Sequence, residues 1–388
     1  MKLEEVVART DVGRVRDHNE DNHFLNPELG VLAVADGMGG LALGEVASAT
    51  AIATLGAAAD VLRPLIDAVD ADASSANRIQ LAQALEVLSH IASQRIQQAT
   101  QGQASGTTMV SAVVTQDHLM VCHVGDSRAY LYRGGNLRPL TQDHTIAAAR
   151  LRQGLIDQAE HDASPYQHML YQALGTQGDI DPDLLDVTLA DGDLVLLCSD
   201  GLTGPVNDRA LEEILAKSES LDDAADQMIA MALENGGPDN ITLVLARVGA
   251  SAAAGVIDRR NEELAASPPL ALLSEADRLV LALFLEEGRA EEGQAFDLDH
   301  GVHVLVGGTA QSGERTLAPG DSFGVARFAG ATSGEPEVTA GPSAHAAVLT
   351  QDAFTVLDNR RPALSAKLLR GLLGALAKQL PGSGSRDA

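Results

Sequence analysis

Two hydrophobic rhythms share the chain. Short apolar runs of strand length recur across residues 1–248: "LGVLAVA", "MVSAVVT", "HLMVCHV", "AYLYR", "DLVLLCS" and "ITLVLARV". Such runs, bounded by Gly, Asp and Asn, predict strands buried in a sheet. Two longer stretches interrupt them. One, rich in Ala, runs from about Gly44 to Leu65. The other runs from about Ala76 to Gln101, with Ile79, Leu81, Leu85, Leu88, Ile91 and Ile96 near helical spacing and Ser74 or Ser75 as its cap. These helices arrive as a consecutive pair, not one after each strand. That argues against a doubly wound parallel sheet and for antiparallel sheets flanked by helices, an α+β fold.

The rhythm breaks twice. Residues 144–176, "HTIAAARLRQGLIDQAEHDASPYQHMLYQALGT", predict short helices and a mobile segment. Near residue 249 the strand pattern stops, and "GASAAAGVIDRRNEELAASPPLALLS" reads as an Ala-rich linker, residues 249–274. One helix follows, around Glu275 to Glu286, then short strands with Gly turns such as "HVLVGG" and "RTLAPGDSFGV". Residues 275–382 thus read as a small β-roll with flanking helices. The last helix, about Ala363 to Leu380, sets Leu364, Leu368, Leu372 and Leu376 on one face, for packing on its own domain or on a second copy in a homodimer.

Composition narrows the picture. Hydrophobic residues make up 45% of the 388 positions but aromatics only 3%, so the core is built from Ala, Leu, Val and Ile. The net charge of −27 argues against nucleic acid and anionic membranes as partners. It leaves divalent cations as natural ligands. Cys122 and Cys198 lie inside apolar runs and read as small buried hydrophobes, not as a disulfide or zinc pair. The chain opens "MKLEEVVART" without an apolar leader and no apolar run reaches a membrane-spanning length, so a cytoplasmic location and no membrane span are expected.

The acids fall in a pattern. "GVLAVADGMGG" ends an apolar strand on Asp36, "LMVCHVGDSR" ends one on Asp126, and "DLVLLCSDGLT" ends one on Asp200. Asp239 in "GGPDNITLVLA" stands just before a strand, and Glu20 and Asp21 in "VRDHNEDNHF" precede the first sheet strand. One Asp-Gly at a strand end is a plain turn. Several acids gathered at one sheet edge would repel one another and call for a hard divalent cation. The carbonyl of Gly37 can approach such an ion unhindered. Two such cations can activate water and clamp a phosphoryl group. Arg16, close to the acidic pair in sequence, suits a bidentate grip on phosphate.

The segments "DVGRVRDHNEDN", "VLAVADGMGG", "SGTTMVSAVV", "HVGDSRAYLYR", "LTQDHT", "LLCSDGLT" and "GGPDNITLVLARV", in this order, resemble the bacterial metal-dependent (type 2C) serine/threonine protein phosphatases over residues 1–248. The resemblance implies a four-layer α-β-β-α sandwich and hydrolysis of phosphoserine or phosphothreonine on proteins by a metal-activated water. It implies two Mn²⁺ or Mg²⁺ ions: Asp36 bridging them, Gly37 giving its carbonyl to one, Asp200 and Asp239 holding the other. Glu20 and Asp21 match an acidic pair acting partly through water. Asp126 and Asp200 match the acids of a third, weaker metal site, and Arg16 matches the phosphate-binding arginine. Gly106, Thr107 and Thr108 are expected to be structural, and Asn240 to support Asp239. Residues 145–175 match a flap beside the site. A phosphoprotein substrate and a cognate serine/threonine kinase are the implied partners. The alternative is a pseudophosphatase that binds phosphoproteins, which an intact ligand set disfavours. Some relatives carry a histidine after the Asp-Gly; here those positions hold Met38 and Leu41, so the proton would come from a metal-bound water or another side chain. His18 and His144 are near in motif terms but read first as structural histidines, and His161 and His168 lie in the flap. Gln172 stands where relatives often carry a basic residue.

"GERTLAPGDSFGVARF" and "SAHAAVLTQDAFTVL" resemble the cyclic-nucleotide-binding fold. The acid that would hold the ribose is replaced by Val325, and the phosphate-binding arginine falls near Ala344 and His345. A degenerate regulatory or dimerising module is therefore expected.

Overall fold

Where an apolar run is buried on both faces, no polar alternation survives in the sequence. Met109–Val114 (β5), His118–Val124 (β6) and Leu194–Cys198 (β10) are such strands, every residue buried. The computed structural model describes residues 3–39, 43–249, 264, 267–330 and 336–379. In chain order, the other elements of the first unit are Leu3–Asp11 (β1), Asp21–Asn26 (β2), Val31–Gly39 (β3) and the helices Leu43–Gly56 (α1), Ala59–Ala71 (α2) and Ser75–Ala99 (α3). Ser105–Thr107 (β4), Arg128–Arg133 (β7), Asn136–Pro139 (β8), Ile146–Arg152 (α4), Gln158–Asp162 (α5) and Asp183–Thr188 (β9) follow. Asp200–Thr203 (α6), Asp208–Lys217 (α7), Leu221–Glu234 (α8) and Ile241–Val248 (β11) complete it.

The strands form two antiparallel sheets. One has the order β1-β11-β10-β7-β8, the other β2-β3-β5-β6-β9, with β4 paired to β3. β11 meets β2 and β3 of the opposite sheet. Behind the first sheet, Leu211, Ile214 and Met228 of α7 and α8 pack on Leu196, Leu243 and Leu245. Behind the second lie α1, against β3, and α3, whose Ser89 Oγ sits 3.3 Å from Cys122 Sγ on β6. Sheet faces sheet and helices cover both outer faces, so residues of β5, β6 and β10 have no solvent side.

Two expectations need correction. The stretch Gly44–Leu65 is not one helix: α1 stops at Gly56, and α2 leaves at 54° to it. The ring of Phe24 on β2 lies against Gly56, where a Cβ would stand 3.1 Å from Phe24 Cε2. Asp21 does not precede the first sheet strand either. β1 comes before it and Asp21 opens β2. The cap of α3 falls to Ser74, whose carbonyl accepts from Arg78 N (3.1 Å). No helix among the described residues is long and apolar enough alone to cross a membrane.

The second unit gathers residues 72–79 with described residues of 255–388. A four-stranded sheet (Leu285–Arg289, His345–Thr350, Gly301–Gly307, Ser322–Phe323) and a three-stranded one (Arg315–Leu317, Ala310–Ser312, Val338–Ala340) enclose a core that includes Phe296, Leu305, Leu317, Phe323 and Val338. Arg78, fully buried, donates to the carbonyls of Ala282 and Leu285, and Ser75 Oγ donates to Glu286 Oε1 (2.6 Å). The helix Pro362–Gln379 buries Leu364, Leu368 and Leu372, and its Gly371 lies against the Pro269 backbone, where a Cβ would be 1.8 Å from the carbonyl oxygen. Those three leucines are therefore covered, while the side chain of Leu376 lies outside the described residues. Most of the expected linker, residues 250–263 and 265–266, lies outside the described residues, as does Leu41.

Candidate metal centre

Register builds the site. β2 and β3 pair with Asp21 directly opposite Asp36, at the end where both strands leave the sheet. Asp36 is pinned through its backbone: its N–H donates to Thr108 Oγ1 (3.0 Å), and its carbonyl accepts from Thr107 Oγ1 (2.8 Å) and Thr108 N (2.8 Å). The Gly-Thr-Thr segment is thus what holds Asp36. Asp200 and Asp239 enter from the other sheet. Gly201 lets their two turns touch, since a Cβ there would lie 1.8 Å from Asn240 O.

Asn240 does more than the sequence suggests. Its N–H donates to Asp239 Oδ1 (2.8 Å), its side-chain oxygen accepts from Glu20 N (2.8 Å), and its Nδ2 donates to the carbonyls of Val12 and His18 (2.9 Å each). One buried amide so ties the Arg16–Glu20 loop to Asp239. Gly44, which the sequence did not single out, is part of the same cradle. Near the start of α1, its N–H donates to the Glu20 carboxylate, and a Cβ there would stand 2.6 Å from Glu20 Cδ. A carboxylate at a helix N-terminus is favoured by the exposed N–H groups and the helix dipole. A Cβ on Gly37 would be 2.2 Å from Gly44 O and 2.6 Å from Glu20 O, both backbone, so Gly37 is sterically required.

The electrostatics are those of crowded acids. Burial, and then Asp21, Asp200, Asp126 and Asp239, push the Asp36 carboxyl well above its usual range. Asp21 is pushed up to about 7 by burial, with Asp200 and Asp239 adding to the rise and the Ser199 and Thr242 hydroxyls opposing it. Asp126 is pushed up to about 8, by burial first and then Asp200 and Asp143. Glu20 rises for the same first reason, opposed by Arg16 and the Gly44 N–H. Ser199 Oγ donates to Asp21 Oδ2 (2.7 Å), while Asp21 Oδ1 is buried without a partner. A buried carboxylate oxygen without a donor, among acids that raise one another, is a place for a cation. The donors are almost all oxygen, which suits Mg²⁺ or Mn²⁺.

Arg16 reaches Asp239, Nη2 to Oδ2 at 2.7 Å, with half of its side chain exposed. Of the four histidines, His168 alone is paired with one of these acids, Nδ1 to Asp200 Oδ2 at 3.3 Å. His144 is buried, accepts from Gly125 N (3.1 Å) and reaches Asp183 Oδ2 with Nε2 (3.1 Å), so both ring nitrogens are committed. His161 pairs with Asp162, and the His18 carbonyl is held by Asn240. Gln172 turns inward, with Nε2 2.9 Å from His144 Nδ1 and Oε1 accepting from Asp181 N (2.9 Å).

A two-sheet sandwich whose strand ends gather acids around Asp36, with an arginine at the rim, defines a cation-dependent site for anionic substrates. A family model described as protein phosphatase 2C matches residues 14–246, and the chain belongs to that family. The serine/threonine phosphatase stp of Listeria monocytogenes serovar 1/2a is 38% identical over 240 residues, 61% of this chain and 93% of the relative. The Mycobacterium tuberculosis serine/threonine protein phosphatase PstP is 38% identical over 248 residues, 62% of this chain and 44% of that protein. Among solved structures, M. tuberculosis PstP/Ppp aligns with a TM-score of 0.54 at 33% identity, covering 63% of this chain and 98% of that one. The PstP catalytic domain in complex with two manganese ions aligns at 0.51 and 35% identity, with 63% and 98% covered.

Proposed function

We propose that the chain is a metal-dependent phosphatase that hydrolyses phosphoserine and phosphothreonine on proteins. The observation that carries this reading is the buried acid cluster around Asp36, fed by both sheets, with an unpartnered oxygen on Asp21. Asp36, the Gly37 carbonyl, Asp200 and Asp239 would hold two ions, Mn²⁺ or Mg²⁺, with Glu20 and Asp21 acting partly through water. Asp126 and Asp200 are assigned to a third, weaker site. Bound there, such ions neutralise the acids, activate water and polarise the phosphoryl group.

The protein's own groups do the rest. Arg16 offers a guanidinium fork at the rim and grips the substrate phosphate. Asn240 fixes the Arg16–Glu20 loop against Asp239 and so sets the distance between phosphate grip and acids. Thr107 and Thr108 keep Asp36 from relaxing away from its neighbours. The family membership and the phosphatases among the relatives support the activity. A cognate serine/threonine kinase and a cytoplasmic location belong to the same proposal.

Residues 1–248 are assigned to catalysis, 249–274 to a linker and 275–382 to a regulatory module of cyclic-nucleotide-binding type that has lost its ligand. Burial of Val325, where a ribose-binding acid would stand, supports that loss.

The test is phosphate release from a phosphothreonine peptide, with and without Mn²⁺, for the wild type beside Asp200→Asn. Manganese-dependent release that falls at least a thousandfold in the variant is expected. No release from folded, manganese-loaded wild type would overturn the enzyme reading in favour of phosphoprotein binding.

A further inference from the structure

The acid pair Asp126 and Asp200 does not stand alone. Asp126, His168 and Asp200 each bring one ligand atom within 4.8 Å of the others. Ligands at roughly 2.0–2.2 Å from one ion lie within about that span of one another. His168 comes from a different part of the chain than the acids, between α5 and the start of β9. Just after it the strip is fastened twice: Ile146 N donates to Met169 O (2.9 Å), and Tyr171 N donates to His144 O (2.9 Å). The imidazole is thus carried to Asp200 by a backbone anchored to the neighbouring segment.

Charge points the same way. Asp126 is buried, with only 7% of its surface exposed, and among the described residues it forms no ion pair. The nearby guanidinium of Arg128 is committed to Asp143 through two hydrogen bonds, at 2.9 and 2.7 Å. His168 reaches the same two carboxylates, with Nδ1 3.3 Å from Asp200 Oδ2. In its neutral form the ring offers a nitrogen lone pair to a cation held between them.

We propose that His168 is a nitrogen ligand of the third cation site, joining Asp126 and Asp200, so that this site prefers Mn²⁺ to Mg²⁺. The inference rests on the reading of Asp126 and Asp200 as a metal site. A nitrogen ligand adds affinity for a first-row transition ion. It adds little for Mg²⁺, which keeps its waters and prefers oxygen. An all-carboxylate pair would discriminate less between the two.

The experiment counts Mn²⁺ on the full-length protein by the electron paramagnetic resonance of the free ion, with Mg²⁺ as competitor. Wild type, His168→Ala and Asp126→Asn are compared. The expected result is a weak site beyond the two tight ones in the wild type. His168→Ala weakens that site at least tenfold for Mn²⁺ and less than twofold for Mg²⁺, and Asp126→Asn removes it. If Asp126→Asn removes the site and His168→Ala leaves its Mn²⁺ affinity unchanged, the histidine is no ligand and the inference falls alone. Equal weakening toward both ions would also overturn it, assigning His168 to packing. If neither variant changes the number of ions bound, the third-site reading itself fails. His168 has an exposed side chain, so its replacement leaves the core untouched.

Discussion

Arg16 serves two masters. On the assignment proposed above it grips an incoming phosphate, yet its guanidinium already pairs with Asp239 at 2.7 Å. The pair is half exposed, so its own contribution to stability is small. Its value lies in holding a long side chain ready at the rim. Arg16→Ala is expected to raise KM for a phosphopeptide about tenfold or more, in line with a lost charged hydrogen bond, and to lower kcat less. Steady-state kinetics over a range of peptide concentrations measures both. A loss confined to kcat would place the arginine on the transition state instead.

The residues of the site were legible in the sequence to different degrees. Asp36, Asp126 and Asp200 announce themselves by ending apolar strands, where a carboxylate is out of place. Glu20 and Asp21 are read as a pair placed just before a strand, and Arg16 through its nearness to them. Gly44 and the second role of Asn240 were hidden, because both act on residues far away in sequence. Nothing local in "LALGEV" signals that a carboxylate must sit against that glycine.

Among elements, the turns bear the precision. The α6 turn and the Asp239–Asn240 turn come together because Gly201 has no Cβ. Gly201→Ala would push backbone against backbone, an overpacking worth about 1–3 kcal/mol. The expected outcome is a melting temperature lower by several degrees and Mn²⁺ binding at least tenfold weaker, seen by calorimetry and ion titration. Gly374→Ala, with open space at its Cβ, is the control and should change neither. Intact Mn²⁺ affinity in Gly201→Ala would show that the two turns tolerate separation.

Strands buried on both faces were readable as unbroken apolar runs; β1 and β2 were not. β1, "LEEVVARTD", mixes charge into its strand, and every residue of β2, "DNHFLN", is only partly buried. The break between α1 and α2 also escaped. Gly56 stands at the break, with the Phe24 ring against it, but a lone Gly in an Ala-rich run is a weak signal.

Across the whole molecule, a buried histidine couples folding to acidity. His123 is fully buried beside the His144 ring, centroids 4.6 Å apart. Burial, and then His144, pull its pKa from the usual 6.5 down to about 3. The folded chain keeps this imidazole neutral, while the unfolded chain protonates it below 6.5. Its share of stability is therefore complete above pH 6.5 and is lost as the pH falls toward 3, by up to about 4 kcal/mol. His123→Phe keeps a ring in place and removes the titration. The variant should lose less stability than the wild type between pH 7 and pH 4, measured by denaturant unfolding. Parallel pH profiles would exclude His123 as a source of acid sensitivity.

The pairing of Asp21 with Asp36 has one more consequence. Side chains alternate along a strand, so a slip of one residue between β2 and β3 would turn one of the two acids away from the other. A hairpin mispaired in this way cannot bring both carboxylates to one ion. On the assignment proposed above, ion capture would check strand pairing: mispaired chains would stay empty, and correctly paired ones would be withdrawn from the unfolded pool by mass action.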